Sequence, residues 1–96
     1  MKQAHVYILA SARNGTLYVG VTSQLVQRIW QHKNHVLEGF SQRYKVTQLV
    51  WFEAHERMEA AILREKQIKS GSRKRKLDLI EAMNPGWRDL YEDILG

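Results

Sequence analysis

The stretch that decides the fold is His5-Val6-Tyr7-Ile8-Leu9-Ala10-Ser11-Ala12-Arg13-Asn14-Gly15-Thr16-Leu17-Tyr18-Val19-Gly20-Val21-Thr22. It contains two runs of apolar, β-branched and aromatic residues, 5–10 and 17–22, separated by a polar segment with Asn14-Gly15. An Asn-Gly pair between two such runs is the strongest short-range signal for a β-hairpin. The stretch therefore predicts two antiparallel strands.

Each strand carries one tyrosine that is a candidate functional residue. Because side chains alternate across a strand, two possible registers place the same five residues on one face: Tyr7, Leu9, Tyr18, Gly20 and Thr22. A two-residue loop pairs Leu9 with Gly20 and separates the tyrosines by about 13 Å, whereas a loop four residues longer pairs Tyr7 with Tyr18 at about 5 Å. A functional tyrosine pair therefore predicts the longer loop.

Composition limits the class of protein. The 96 residues, 44% of them hydrophobic and 26% charged, fit one small domain over 1–96. The sequence has neither a membrane-spanning apolar run nor a signal-peptide pattern, so we expect a cytoplasmic protein that is not bound to a membrane. It has no cysteine, which excludes disulfides and thiolate zinc sites. The net charge of +5 favours nucleic acid as the partner.

The rest of the chain predicts one more strand and four helices. Periodicity and turn residues give, in order, a helix over about 24–35, a loop beginning at 38–41, a strand over 46–54 and helices over 56–70, 73–83 and 87–95. Thr22 or Ser23 can cap the first helix, Gly71 stops the second, and Ser72 can cap the third, which Pro85 ends. The order predicts an α/β domain with a small three-stranded, mainly antiparallel sheet flanked by helices.

The first helix places two polar residues beside its apolar stripe. Leu25, Ile29 and Val36 define the stripe, and Arg28 and His32 fall within or next to it. An arginine there either pairs with a carboxylate or extends to the protein edge, or it binds a phosphate with its planar fork. We favour the phosphate for Arg28 and a supporting role for His32.

The second helix carries a carboxylate in the same kind of position. Its stripe consists of Met58, Ala61, Ile62 and Ile68. Glu65 lies in the middle of this stripe, where an unmatched charge costs several kcal/mol. Glu65 therefore needs a partner, either Arg28 in an ion pair or a divalent metal ion. We favour the metal, because separate elements direct a carboxylate, a guanidinium and two tyrosines inward together.

A cluster of cations surrounds the start of the third helix. Its members are Lys69, Arg73, Lys74, Arg75 and Lys76. Cations at a helix N-terminus oppose the helix dipole, which is more understandable if a nucleic-acid backbone lies there. The alternative is a solvated basic face. Asn84 continues the apolar stripe of this helix or marks its end, and Trp30, Trp51 and Trp87 are expected to pack in the protein.

These residues together resemble a known family. Val6-Tyr7-Ile8, Tyr18-Val19-Gly20, Arg28, His32 and Glu65 are similar in order and spacing to the GIY-YIG nuclease motifs. The ending, residues 84–90, is similar to that of small stand-alone bacterial members. The chain departs from the pattern in three places. His5 replaces the glycine of the first motif, and Val19 replaces the isoleucine of the second. Val21 stands where some members have a lysine.

The resemblance implies a metal-dependent endonuclease that hydrolyses phosphodiester bonds, with DNA favoured over RNA. By resemblance, Glu65 holds Mg²⁺ or Mn²⁺, Arg28 stabilises the phosphate, and Tyr7 and Tyr18 lie near the attacking water. His32 assists them, while Gly20 and Asn84 support the site. Two alternatives are a nucleic-acid-binding module of the same fold without catalysis and a protein-interaction domain whose charge only maintains solubility.

Overall fold

The computed structural model describes residues 3–36, 39 and 44–96. Its elements, in chain order, are β1 (Ala4–Ala10), β2 (Leu17–Thr22), α1 (Leu25–Lys33), β3 (Gln48–His55), α2 (Met58–Ser70), α3 (Arg73–Met83) and α4 (Tyr91–Leu95). The strands form one antiparallel sheet in the order β2-β1-β3. The predicted fold class is therefore confirmed. No helix in the described ranges is long and apolar enough to cross a membrane.

The hairpin adopts a register between the two that we considered. Leu9 pairs with Tyr18, and Tyr7 pairs with Gly20, so neither predicted pairing is correct. The shared face is nevertheless confirmed, because all three registers differ by even shifts. The two tyrosines are diagonal neighbours with ring centroids 6.3 Å apart. The longer loop that we expected for a functional pair is therefore not observed, although the two rings are close.

Helices cover both faces of the sheet. On one face, Val6 and Ile8 pack with buried residues of α2 and α3. On the other, Tyr7 and Leu9 pack with Leu25 and Ile29 of α1 and with Leu90, near α4. This second layer holds α1 directly against the face that carries both tyrosines.

Several predicted boundaries are wrong by a few residues. The first helix ends at Lys33 rather than His35, whose φ of 55° lies in the left-handed region that a helix does not continue through. Val36 is consequently 56% exposed and is not part of the stripe. Ile62 is also exposed, although Ala61 and Ile68 of the same helix are buried.

The other bounds differ as follows: β3 spans Gln48–His55, α2 begins at Met58, and the last helix is reduced to Tyr91–Leu95. The loop predicted from 38–41 lies mostly outside the described residues. The predicted caps are partly correct. Ser72 accepts a hydrogen bond from the Arg75 amide at 3.2 Å, and Gly71 ends α2. Gln24 precedes α1 without a side-chain cap, while the Thr22 hydroxyl accepts from the Gln24 amide at 3.0 Å.

The segment after α3 is fastened to the free side of β3. The buried Asn84 amide donates to the Val50 carbonyl at 3.2 Å and to the Arg88 carbonyl at 2.8 Å. The Leu49 amide donates to Asp89 at 3.2 Å, and the Leu49 carbonyl accepts from the Leu90 amide at 2.7 Å. Asn84 therefore ends α3 and supports the sheet.

Candidate active site

The close pairing of Gly20 with Tyr7 builds the floor of the site. A Cβ atom at residue 20 would lie 2.4 Å from both Cζ and Oη of Tyr7. Such a distance is far below van der Waals contact. Glycine at this position therefore allows the Tyr7 ring to pack closely against β2. The tyrosine is 1% exposed in this position.

Tyr7, Tyr18 and His32 form a compact aromatic group. The Tyr7 hydroxyl and His32 Nε2 are joined by a buried hydrogen bond of 3.0 Å. The His32 ring centroid lies 5.8 Å from that of Tyr7 and 5.3 Å from that of Tyr18. A supporting role for His32 is predicted from the sequence, with Tyr7, Tyr18 or the phosphate as the group that it positions, and the structure places Tyr7 in hydrogen-bond contact with it.

Burial sets the protonation states of this group. It raises the pKa of the Tyr7 hydroxyl well above its usual range, and the neighbouring Tyr18 adds to that rise. Burial, followed by the charge of Arg28, lowers the pKa of His32 to about 4. At neutral pH Tyr7 is therefore a neutral phenol and His32 a neutral imidazole, so their hydrogen bond involves no formal charge.

Arg28 and Glu65 bring opposite charges to this aromatic group. The positive charge of Arg28 lowers the pKa of Tyr7, and the negative charge of Glu65 raises it. Arg28 is half-buried and, among the described residues, has no carboxylate partner. The alternative of an ion pair between Arg28 and Glu65 is therefore absent from the described part of the chain.

Glu65 instead pairs with a lysine on its own helix. Its side chain is 14% exposed and lies 3.0 Å from Nζ of Lys69, which is 53% exposed. This pair was not among our predictions, although a glutamate four residues before a lysine on a helix is a recognisable signal.

The remaining predicted cations are mostly engaged within the protein. Arg73 donates to the backbone carbonyls of Asn14 and Gly15 in the hairpin loop at 2.9 and 2.7 Å. Lys74 pairs with Asp78 at 3.2 Å. The Lys76 ammonium donates a hydrogen bond to the Gly71 carbonyl at 2.8 Å. Arg75 is exposed, and in the described chain its side chain forms no ion pair. The cluster therefore offers fewer unengaged cations than its sequence suggests.

The three departures from the family pattern lie away from the aromatic group. Val19 and Val21 pack with the core on the opposite face of the sheet, so neither contributes a group to the tyrosine face. His5 shares that face, but its ring lies beside Phe52, with centroids 6.3 Å apart. Burial lowers the pKa of His5.

Of the three tryptophans, two pack as expected. Trp51 and Trp87 are each 5% exposed, whereas Trp30, on α1, is 49% exposed. The expectation is therefore wrong for Trp30. It lies on the helix that carries Arg28, and its ring faces solvent.

Comparison with known proteins agrees with this geometry. The model of the GIY-YIG catalytic domain matches residues 3–78, a range that contains Tyr7, Tyr18, Arg28, His32 and Glu65. A UPF0213 protein of Staphylococcus saprophyticus is 32% identical over 80 residues, covering 83% of this chain and 96% of that protein. A UPF0213 protein of Haloquadratum walsbyi is 30% identical over 81 residues, covering 84% of this chain and 91% of that protein.

A solved structure shares the fold as well. The solution NMR structure of a UPF0213 protein from Bacillus halodurans is similar at a TM-score of 0.56 and 25% identity, over 91% of this chain and 92% of that one. GIY-YIG domains are generally nucleases that use divalent metals. The match over most of the chain, on a sheet that assembles both tyrosine motifs into one aromatic group, shows that this protein belongs to the GIY-YIG catalytic domain family.

Proposed function

We propose that this protein is a divalent-metal-dependent endonuclease that hydrolyses phosphodiester bonds, with DNA as the substrate. The observation that carries the proposal is the convergence at the Tyr7 hydroxyl. His32 is hydrogen-bonded to that hydroxyl, the Tyr18 ring centroid lies 6.3 Å from that of Tyr7, and the charges of Arg28 and Glu65 move the pKa of Tyr7 in opposite directions. Such a meeting of phenols, a guanidinium and a carboxylate is what phosphodiester hydrolysis needs.

The two tyrosines take different roles in this proposal. Tyr7 is buried, and its raised pKa keeps its proton in place, so it remains a neutral phenol that positions His32 through their hydrogen bond. Tyr18 is only half-buried and lies on the same face. A base must reach the proton that it removes. We therefore assign Tyr18 to the attacking water.

Arg28 supplies the positive charge that the reaction requires. Its guanidinium is half-buried, has no carboxylate partner among the described residues, and lines a polar recess of about 160 Å³ next to the start of α1. A planar fork in such a position can bind two phosphate oxygens. Arg28 would orient the scissile phosphate and stabilise the negative charge that develops on it.

The donor set fits Mg²⁺ or Mn²⁺. Glu65 supplies one partly shielded carboxylate, and the described residues contain no cluster of three or more histidine, aspartate or glutamate side chains. Magnesium is commonly held by one or two carboxylates, with water and substrate phosphates as its other ligands. When bound, the ion would supply further positive charge to the phosphate.

The test is a cleavage assay with matched variants. Oligonucleotide and plasmid DNA are incubated with Mg²⁺ or Mn²⁺ and wild type, Glu65→Gln or Arg28→Lys. We expect wild type to cleave and each variant to lose at least about 100-fold in rate, with thermal stability unchanged. Glu92→Gln, in the exposed last helix, is the control and should cleave like wild type. DNA binding by wild type without cleavage would instead favour a binding module of the same fold.

A further inference from the structure

The outer side of α1 carries a row of polar groups that the proposed chemistry does not use. Gln24, Gln27 and Gln31 have spacings of three and four residues, which places them in one line along the helix. We call these three residues the glutamine row. In the described part of the chain, none of the three side-chain amides has a hydrogen-bond partner.

The glutamine row lies between the catalytic arginine and the exposed tryptophan. All three glutamines line the polar recess that contains Arg28. Gln24 and Gln27 also line an adjoining groove of about 480 Å³, whose apolar wall includes Trp30 and Tyr91. The two depressions share these glutamines, so a continuous surface runs from Arg28 across α1 to Trp30.

The chemistry of this surface suits nucleobases better than phosphates. A glutamine amide both donates and accepts hydrogen bonds, and this combination matches the edge of a base. The row itself carries no charge, in a protein with a net charge of +5. Trp30 is 49% exposed, and an exposed aromatic ring is a surface on which a base can stack.

We propose that the glutamine row and Trp30 form a subsite for the nucleobases beside the phosphate that Arg28 binds. The amides of the row contact base edges, and the Trp30 indole stacks on a base at the far end. The position of the phosphate rests on the proposed nuclease function. The subsite would make cleavage depend on the bases next to the cut.

Trp30 itself provides a direct test. Because Trp51 and Trp87 are buried, quenching of tryptophan fluorescence by an oligonucleotide reports mainly on Trp30. Wild type is titrated with homopolymeric oligonucleotides of each base, with EDTA present to prevent cleavage. We expect saturable quenching that disappears in Trp30→Phe. Gln27→Ala combined with Gln31→Ala should weaken binding of the preferred base by about 10-fold. The control is Gln67→Ala, an exposed glutamine on α2.

Cleavage of a random-sequence library, read by sequencing the ends, separates this inference from the nuclease proposal. Loss of base preference at the cut in the row variants supports the subsite. Unchanged preference and affinity in both the row variants and Trp30→Phe would overturn the subsite, while cleavage by wild type would leave the nuclease intact. Weaker binding in the variants with no cleavage by wild type would retain the subsite and contradict the nuclease. Absence of both quenching and cleavage would contradict both.

Discussion

At the residue scale, the site depends on a glycine as much as on its reactive groups. Gly20 allows the Tyr7 ring to pack against β2, and this packing brings its hydroxyl to His32 Nε2 at 3.0 Å. The sequence could identify Tyr7, Gly20 and His32 as candidates. It could not show that the glycine is opposite the first tyrosine, because that depends on a register that hairpin signals left open.

Gly20→Ala should therefore disrupt the site as well as the fold. The added methyl would lie 2.4 Å from the Tyr7 ring, which is 1% exposed. We expect a loss of about 1–3 kcal/mol in the free energy of unfolding, typical of overpacking, and nearly complete loss of any cleavage. Denaturant unfolding checks the first effect. Gly86→Ala, where a Cβ would meet only the side chain of Arg88 at 3.8 Å, is the control. Wild-type stability in Gly20→Ala would contradict the prediction.

His32 should make stability depend on pH. Its pKa of about 4 in the folded protein lies below the usual value of 6.5, because burial and Arg28 disfavour the imidazolium. The unfolded chain therefore binds the proton first as pH falls. Stability from this residue is present above about pH 6.5 and is lost towards pH 4, by up to about 3 kcal/mol.

The measurement for His32 is the free energy of unfolding at several pH values between 4 and 7. We expect His32→Gln to be less stable than wild type at pH 7 and to lose less stability on acidification. The comparison between the two proteins removes the contributions of other titrating groups, such as His5, whose pKa burial also lowers. Parallel pH profiles for the two proteins would contradict the assignment.

At the element scale, local signals located the helices but not all of their ends. The predictions that Ser72 caps α3 and that Gly71 ends α2 are correct, because a cap and a stop signal act through neighbouring backbone groups. The predicted end of α1 is wrong because His35 leaves the helical conformation, and the sequence contains no stop signal at that point. Val36 and Ile62 are exposed because periodicity marks a face without saying how far the neighbouring layer extends.

Ser72→Ala should lower the stability of α3 by about 1 kcal/mol, because the Arg75 amide loses its acceptor. The free energy of chemical unfolding measures this effect. Ser72→Asp keeps an acceptor oxygen and should remain close to wild type. Ser70→Ala, at the last residue of α2, should have a smaller effect, because the Ser70 hydroxyl donates to the Gln67 carbonyl and caps no amide in the described chain. Equal losses in Ser72→Ala and Ser70→Ala would rule out a specific capping contribution.

At the scale of the whole molecule, net charge was the sequence property that said least about which cations are available to bind nucleic acid. The net charge of +5 is a property of composition, but the structure shows how individual cations are used. Arg73 ties α3 to the hairpin loop, Lys69 neutralises Glu65, and Lys76 binds the Gly71 carbonyl. Only tertiary structure reveals that Arg73 is occupied, since its partners are 58 and 59 residues away.

DNA binding should depend on salt through the unengaged cations. Each phosphate contact adds about −0.7 to −0.9 to the slope of log K against log salt concentration. We expect Arg75→Ala to make that slope less negative by about this amount, while Arg75→Lys leaves it nearly unchanged. Titrations between 50 and 200 mM salt measure both. A flat profile for wild type would instead favour a protein-interaction domain.

The fastening of β3 by residues 84–90 has a consequence for solution behaviour. β3 is an outer strand of the sheet, and Asn84, Asp89 and Leu90 occupy backbone groups of Leu49 and Val50 that would otherwise attract a strand from another molecule. These residues lie beyond the segment that matches the family domain. A version shortened to that segment would therefore expose an open strand edge. We expect its molecules to associate through that edge, so that light scattering increases with protein concentration.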